Sequence, residues 1–243
     1  MPRGPLARLR DIAFHLALYV LMGVMGVLGA PLLVSHRATH GWMRLYARSV
    51  LWLARMMAGI RVEIRGRMPT EPVVVAAKHQ SLLDVYILFA HLPHARFVMK
   101  RSLTRMPVFG LYTRRIGTVA VDRGKRGEGA RMVGEMAAAQ VRGGQIVVYP
   151  QGTRVAPGAT APYKRGVVML ARELALPVVP AATNTGLFWV KGGRLAGPGT
   201  AVMEFLAPLP APADPELDDR LLEALERQIE GASNRLAAPK RAR

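Results

Sequence analysis

The chain is 243 residues long, 51% hydrophobic and only 6% aromatic, with no cysteine, a formal net charge of +18 and a pI near 11.4. The lack of cysteine excludes disulfides, thiolate catalysis and Cys-ligated zinc. Such charge implies an anionic partner, and high apolar content with few rings for base stacking turns that implication away from nucleic acid toward a lipid surface.

The length suits one domain with appendages, or at most two small domains. Residues 1–12 form a basic lead-in with Arg3, Arg8 and Arg10. Residues 13–34 follow, with His15 as their only potentially charged group; as a helix they would reach about 33 Å, enough to cross a bilayer. Gly23, Gly26, Gly29 and Pro31 weaken the second half of that stretch. Arginines flank both of its ends, so the positive-inside rule gives no orientation. The apolar region is long for a signal peptide and no A-x-A site follows, so a retained anchor, spanning or re-entrant, is expected. Over residues 42–58, Arg44, Arg48 and Arg55 fall within about 40° on a helical wheel, and apolar side chains cover the rest. A narrow cationic stripe on an apolar helix suits the headgroup boundary, although a core helix would share the apolar part of the pattern.

From Arg61 the pattern changes to short apolar runs alternating with helical segments. Residues 62–64 read as a short edge strand, followed by strands at 72–77, 96–99, 118–122, 145–149, 177–183 and near 200–206. Helices fit over 81–92, 129–142 and 163–175. This alternation predicts an α/β fold, a mostly parallel sheet flanked by helices behind a membrane-associated two-helix N-terminal segment. The expected organisation is membrane-anchoring helices over 1–58, an α/β domain over 59–213, and a C-terminal amphipathic helix with a basic tail over 214–243.

His79 stands between the buried strand at 72–77 and the next helix. The sequence from Ser81 to Asp84 fits the S-x-x-D capping box, with Asp84 in the first turn. On one continuous helix the side chains of residues 79 and 84 would point apart. With His79 ahead of the cap, the chain can fold back and bring the carboxylate to an imidazole nitrogen, leaving the other nitrogen to take a proton. A capping aspartate beside an ordinary turn histidine fits the same residues.

In open α/β sheets the ligand crevice lies beyond the carboxyl ends of the strands. The residues following successive strands are His79 and Asp84, then Lys100 and Arg101, then Asp122 and Arg123. Further along come Gln151, Gly152, Thr153 and Arg154, and finally Thr183, Asn184, Thr185 and Gly186. A base and several cations thus converge on one rim, and cations with the N–H groups of a glycine turn make a phosphate site. His36 with His40, and His91 with His94, lack a carboxylate set for a metal site. No G-x-S-x-G or G-x-x-x-x-G-K-[ST] motif is present.

Together these blocks resemble the 1-acylglycerol-3-phosphate acyltransferases of the glycerolipid acyltransferase family. His79 and Asp84 match its H-x-x-x-x-D pair, and residues 100–110 match its basic block. Residues 117–123 match G-x-x-x-[IV]-D-R, and residues 149–154 look like F-P-E-G-T-R; the proline-centred block falls at Pro180. Two residues depart: Lys78 stands for the usual Asn, and Gln151 for the usual Glu.

The resemblance implies transfer of an acyl group from acyl-CoA or acyl carrier protein to the sn-2 hydroxyl of lysophosphatidic acid, giving phosphatidic acid. It implies His79 and Asp84 as the catalytic pair. Lys100, Arg123, Gly152, Thr153 and Arg154 would bind the phosphate, and Gln151 is a possible substrate contact. No metal, cofactor or nucleic acid is expected, and membrane lipids are the expected surroundings, at the cytoplasmic face of the inner (plasma) membrane. Acylation of another lysolipid, such as an amino-acid lipid, or a non-catalytic lipid-binding role are the alternatives.

Overall fold

The computed structural model describes residues 4–121, 131, 133–136, 143–190 and 192–238. Its strands are β1 (Ile60–Arg65), β2 (Val73–Ala77), β3 (Arg96–Lys100), β4 (Val119–Val121), β5 (Gln145–Val148), β6 (Val178–Thr183) and β7 (Gly199–Phe205). Among the described residues they form one sheet in the order β1-β7-β6-β2-β5-β3-β4, parallel throughout except between β6 and β7. The helices are α1 (Pro5–Leu28), α2 (His36–Ala58), α3 (Leu82–His91), α4 (Pro107–Arg115), α5 (Gly166–Glu173) and α6 (Asp218–Ala237).

Strand β2 is central and buried on both faces, which is why its sequence is an unbroken apolar run. Val73, Val75 and Ala77 pack with α1, α2 and α3, while Val74 and Ala76 pack on the opposite face with α5 and α6. The mostly parallel sheet flanked by helices is therefore as expected. The expected strand at 118–122 is described only as far as Val121, and most of the helix expected over 129–142 lies outside the described residues; residues 131 and 133–136 are helical. Helix α4 has no counterpart in the expected elements. Pro107 starts it with the right φ already set, and bare Gly110 lets it lie against the Thr104 carbonyl, where a Cβ would come within 2.1 Å.

The N-terminal apolar helix also begins earlier than its composition suggested. Pro5 at its first turn starts it ahead of the apolar run, and residues Ala30–Val34 form a separate 3-10 turn. Gly26 and Gly29 admit close neighbours, and Gly29 is also where α1 ends: a Cβ on either would run into Val108 or Trp42. The Trp42 indole N–H donates to the Met25 carbonyl (2.8 Å), and the Tyr112 hydroxyl donates to that of Gly26 (2.7 Å). Phe14 packs edge-on to Trp189, with ring centroids 5.1 Å apart. One side of α1 and α2 therefore joins the sheet's own core, where Phe14, Met43, Val50 and Ala54 meet Ile60 and Val75.

Helix α6 lies against β6 through Leu225, Ile229 and Ala232. Asp214 caps a 3-10 turn (Pro215–Leu217) that leads into it, donated to by the Glu216 N–H at 2.9 Å.

Candidate active site

Three adjacent parallel strands, β6, β2 and β5, end side by side, so the loops after them meet. After β2 the chain turns through residues 78–81 and enters α3. The Ser81 hydroxyl accepts the Leu83 N–H at 2.9 Å. Asp84 Oδ2 accepts the N–H groups of Gln80 (2.7 Å) and Ser81 (3.0 Å), completing the capping box. The same oxygen lies 2.9 Å from His79 Nδ1. On the other carboxylate oxygen, Oδ1, the Thr185 hydroxyl donates from the loop after β6.

Capping and orienting therefore do not compete: one fully buried carboxylate does both. Because a carboxylate only accepts, Nδ1 carries the hydrogen and Nε2 keeps the free lone pair. The turn is fixed from several sides. The Lys78 N–H donates to the Ala181 carbonyl (2.8 Å), the His79 carbonyl accepts from Val155 N–H (2.8 Å), and Gln80 Oε1 accepts from Gly186 N–H (3.0 Å). Tyr149 stacks on the imidazole at 4.0 Å between ring centroids and 20° between planes. Burial, and then the Asp84 charge, push the Tyr149 phenol well above its ordinary pKa, so that ring is neutral.

His79 stands at the wall of a cavity of about 340 Å³. Most of the lining is apolar: Met43 and Ala47 from α2, Val85 and Phe89 from α3, Phe97 from β3 and Phe109 from α4. Lys100, Thr153 and Arg154 line it as well, and neither cation has an acidic partner among the described residues. A smaller apolar hollow bounded by Met25, Gly26, Trp42 and Val108 shares the walls formed by Met43, Tyr46 and Phe109.

The structure thus brings His79, Asp84, Lys100, Thr153 and Arg154 to one place. Gly152 does not line the cavity. It takes the left-handed backbone (φ 68°) of the turn, and a Cβ there would lie 3.1 Å from the Lys164 ammonium nitrogen. The buried Gln151 side chain does not line it either: its Nε2 donates to the Ala161 carbonyl (3.2 Å) and to Glu230 Oε1 on α6 (3.3 Å). Arg123 lies outside the described residues. Sequence reasoning named neither Lys164 nor Glu230, and it noted Thr185 only as part of a polar strand end.

The other histidines sit apart from this cavity. His40 stacks on Phe89 between α2 and α3; burial, then His36, His94, Arg96 and Arg44, lower its pKa to about 3, so it is neutral. No three His, Cys, Asp or Glu side chains among the described residues are grouped to hold a metal.

Residues 59–184, more than half of the chain, match the Acyltransferase family. A 1-acyl-sn-glycerol-3-phosphate acyltransferase of Pseudomonas aeruginosa is 31% identical over 198 residues, covering 79% of this chain and 77% of the relative. The human 1-acyl-sn-glycerol-3-phosphate acyltransferase alpha is 31% identical over 189 residues, covering 73% of this chain and 67% of the relative. A crystal structure of the 1-acyl-sn-glycerophosphate acyltransferase of Thermotoga maritima superposes with a TM-score of 0.76 over 97% of this chain and all of that one; at 19% identity the likeness is one of fold. The matched segment runs from the start of the sheet to the end of β6 and so contains the His79–Asp84 pair with the strand ends around it: the chain belongs to the acyltransferase family.

Proposed function

We propose that this chain transfers a fatty acyl group from acyl-CoA or acyl carrier protein to the sn-2 hydroxyl of 1-acylglycerol-3-phosphate, forming phosphatidic acid. The observation that carries the reading is a carboxylate-held histidine at the wall of a largely apolar cavity whose remaining lining includes Lys100 and Arg154. The names of the relatives point to the same acceptor.

In this reading His79 Nε2 removes the proton from the sn-2 hydroxyl as its oxygen attacks the thioester carbonyl. Asp84 Oδ2, against Nδ1–H, holds the ring and stabilises the imidazolium that forms. The tetrahedral intermediate then collapses, the C–S bond breaks, and the proton on Nε2 passes to the departing thiolate. The products are the ester and the free thiol. General-base help of this kind contributes about 10²–10⁴ in rate. The thioester supplies its own activation, so no resident cofactor takes part.

Lys100 and Arg154, with Arg123 and Thr153, are the groups proposed to hold the glycerol phosphate, while Gly152 shapes the turn with its N–H donated to the Tyr149 carbonyl (2.9 Å). Gln151 serves the loop rather than the substrate. The apolar lining suits an acyl chain, and the cavity volume is within the ~300–1,000 Å³ of small-molecule sites. Helices α1 and α2 would set this mouth against the cytoplasmic surface of the inner membrane, where lipid and soluble thioester meet.

The test is an acceptor panel: purified protein, labelled acyl-CoA and acyl-loaded carrier protein, and lysolipids with and without a phosphomonoester. The reading expects lysophosphatidic acid to be acylated well ahead of the others. Preferential acylation of a lysolipid lacking phosphate would overturn the acceptor, and no transfer to any lysolipid from either donor would overturn the activity.

A further inference from the structure

An ion pair between a buried lysine and a partly buried glutamate lies one residue from His79. Lys78 is 1% exposed, and its Nζ is 2.7 Å from both carboxylate oxygens of Glu230 on α6. Oε1 of Glu230 also accepts from the Tyr163 hydroxyl (2.9 Å) and from Gln151 Nε2 (3.3 Å). Burial, and then Glu230 itself, push the Tyr163 phenol far above its ordinary pKa, so it stays a donor. One carboxylate therefore joins the residue before His79, the residue before Gly152 and the segment leading into α5. None of these four side chains lines the cavity.

Lys78 and Gln151 are also the two residues at which this chain departs from the motifs it resembles, and they meet on the same oxygen. The chemistry explains the pairing of the departures. A buried ammonium at position 78 needs an opposing carboxylate, and leaving it unpaired is strongly destabilising. With Glu230 in that role, a glutamate at 151 would set a second carboxylate against it and remove the Nε2 donor. Position 151 accordingly carries the uncharged amide.

We infer that Glu230 is a positioning residue for acyl transfer: its carboxylate holds the His79 turn and the loop bearing Thr153 and Arg154 in fixed register. The inference rests on the reading of His79 as general base. Displacement of a reacting group by about 1 Å costs on the order of 10² in rate, so the register matters even though Glu230 touches no substrate. Helix α6 does not depend on this contact for its seat. Leu225 and Ile229 are fully buried, the Thr183 N–H donates to Ser233 Oγ (3.3 Å), and Asn184 Nδ2 donates to the Leu236 carbonyl (3.2 Å).

The test compares kcat, KM and thermal midpoint of the full chain in detergent. Glu230→Gln should lower kcat about ten- to a hundredfold. Replacing both charges, Lys78→Met with Glu230→Met, removes the unpaired ion and should return the midpoint toward the parent. It should leave kcat at least about tenfold low, because Gln151 and Tyr163 still lack their acceptor. Parental kcat in Glu230→Gln, or kcat recovering together with the midpoint in the double variant, overturns the inference and leaves the pair a structural one. Should the double variant not fold, Gln151→Met combined with Tyr163→Phe decides, since the ion pair stays intact. A several-fold loss of kcat at an unchanged midpoint supports the inference, and unchanged kcat overturns it. His79→Ala in the same assay separates the two readings. If that variant kept parental turnover, the general-base assignment would fall and the inference with it, whatever Glu230 did.

Discussion

Asp84 illustrates how a single residue can be over-determined. Its oxygens take two backbone N–H groups, a threonine hydroxyl and the imidazole of His79, with no accessible surface left. The local part of this arrangement was legible, because a capping box and a histidine ahead of it lie within six residues. Thr185, 101 residues away, was not, since nothing in the sequence around Asp84 names its partner. The same holds for Lys78 and Glu230, separated by 152 residues, where the pairing exists only once the sheet has formed. Arg154 gives the prediction at this scale. As a rim cation it should act on binding, so Arg154→Ala should raise KM for lysophosphatidic acid about tenfold while kcat falls less. A lysolipid without phosphate should lose little further in the variant. Equal losses on both acceptors would make Arg154 a structural residue.

At the scale of elements, β2, α3, β5 and β6 were located closely because each is a nearly continuous apolar run bounded by turn residues. Periodicity overlooked α4, whose nine residues carry too short a pattern, and it shifted α1 because hydropathy alone hides a helix start set by Pro5. Among the described residues α1 is the one helix long and apolar enough to cross a membrane. Its inward face is spent on the protein core through Phe14, Leu18 and Met25, and its outward face presents Leu9, Leu16, Val20, Val24 and Val27. Helix α2 adds exposed Trp52 and Met56 beside Arg48 and Arg55, an aromatic and cationic edge suited to headgroups. Deleting residues 1–58 would therefore open the core as well as remove the apolar face proposed to meet the membrane. Substituting the outward face is the cleaner experiment. Leu16→Gln with Val20→Gln and Val24→Gln should weaken sedimentation with anionic vesicles about tenfold or more, with turnover in detergent largely kept. Unchanged vesicle binding would assign the membrane contact to another surface.

At the scale of the whole molecule, the sheet order does the assembling. Residues 79, 154 and 185 come from three separate loops, and they meet because β6, β2 and β5 are neighbours that run the same way. Alternation of strands and helices made a parallel sheet legible, and with it the rule that ligands gather beyond the carboxyl ends of its strands. What it left open was which loops would face each other and where the apolar cavity would lie, because strand order is a tertiary property. The cavity walls come from α2, α3, β3 and α4, and residues so scattered leave no periodic trace. Held by Asp84, His79 is proposed to take the hydroxyl proton during acyl transfer to lysophosphatidic acid. The most direct measurement is phosphatidic acid formation from labelled thioester and lysophosphatidic acid by the purified parent chain and by His79→Ala, matched for thermal midpoint. The variant should lose about 10²–10⁴ of the parent's kcat while remaining folded; folded His79→Ala protein turning over at the parent's rate would rule out His79 as the base.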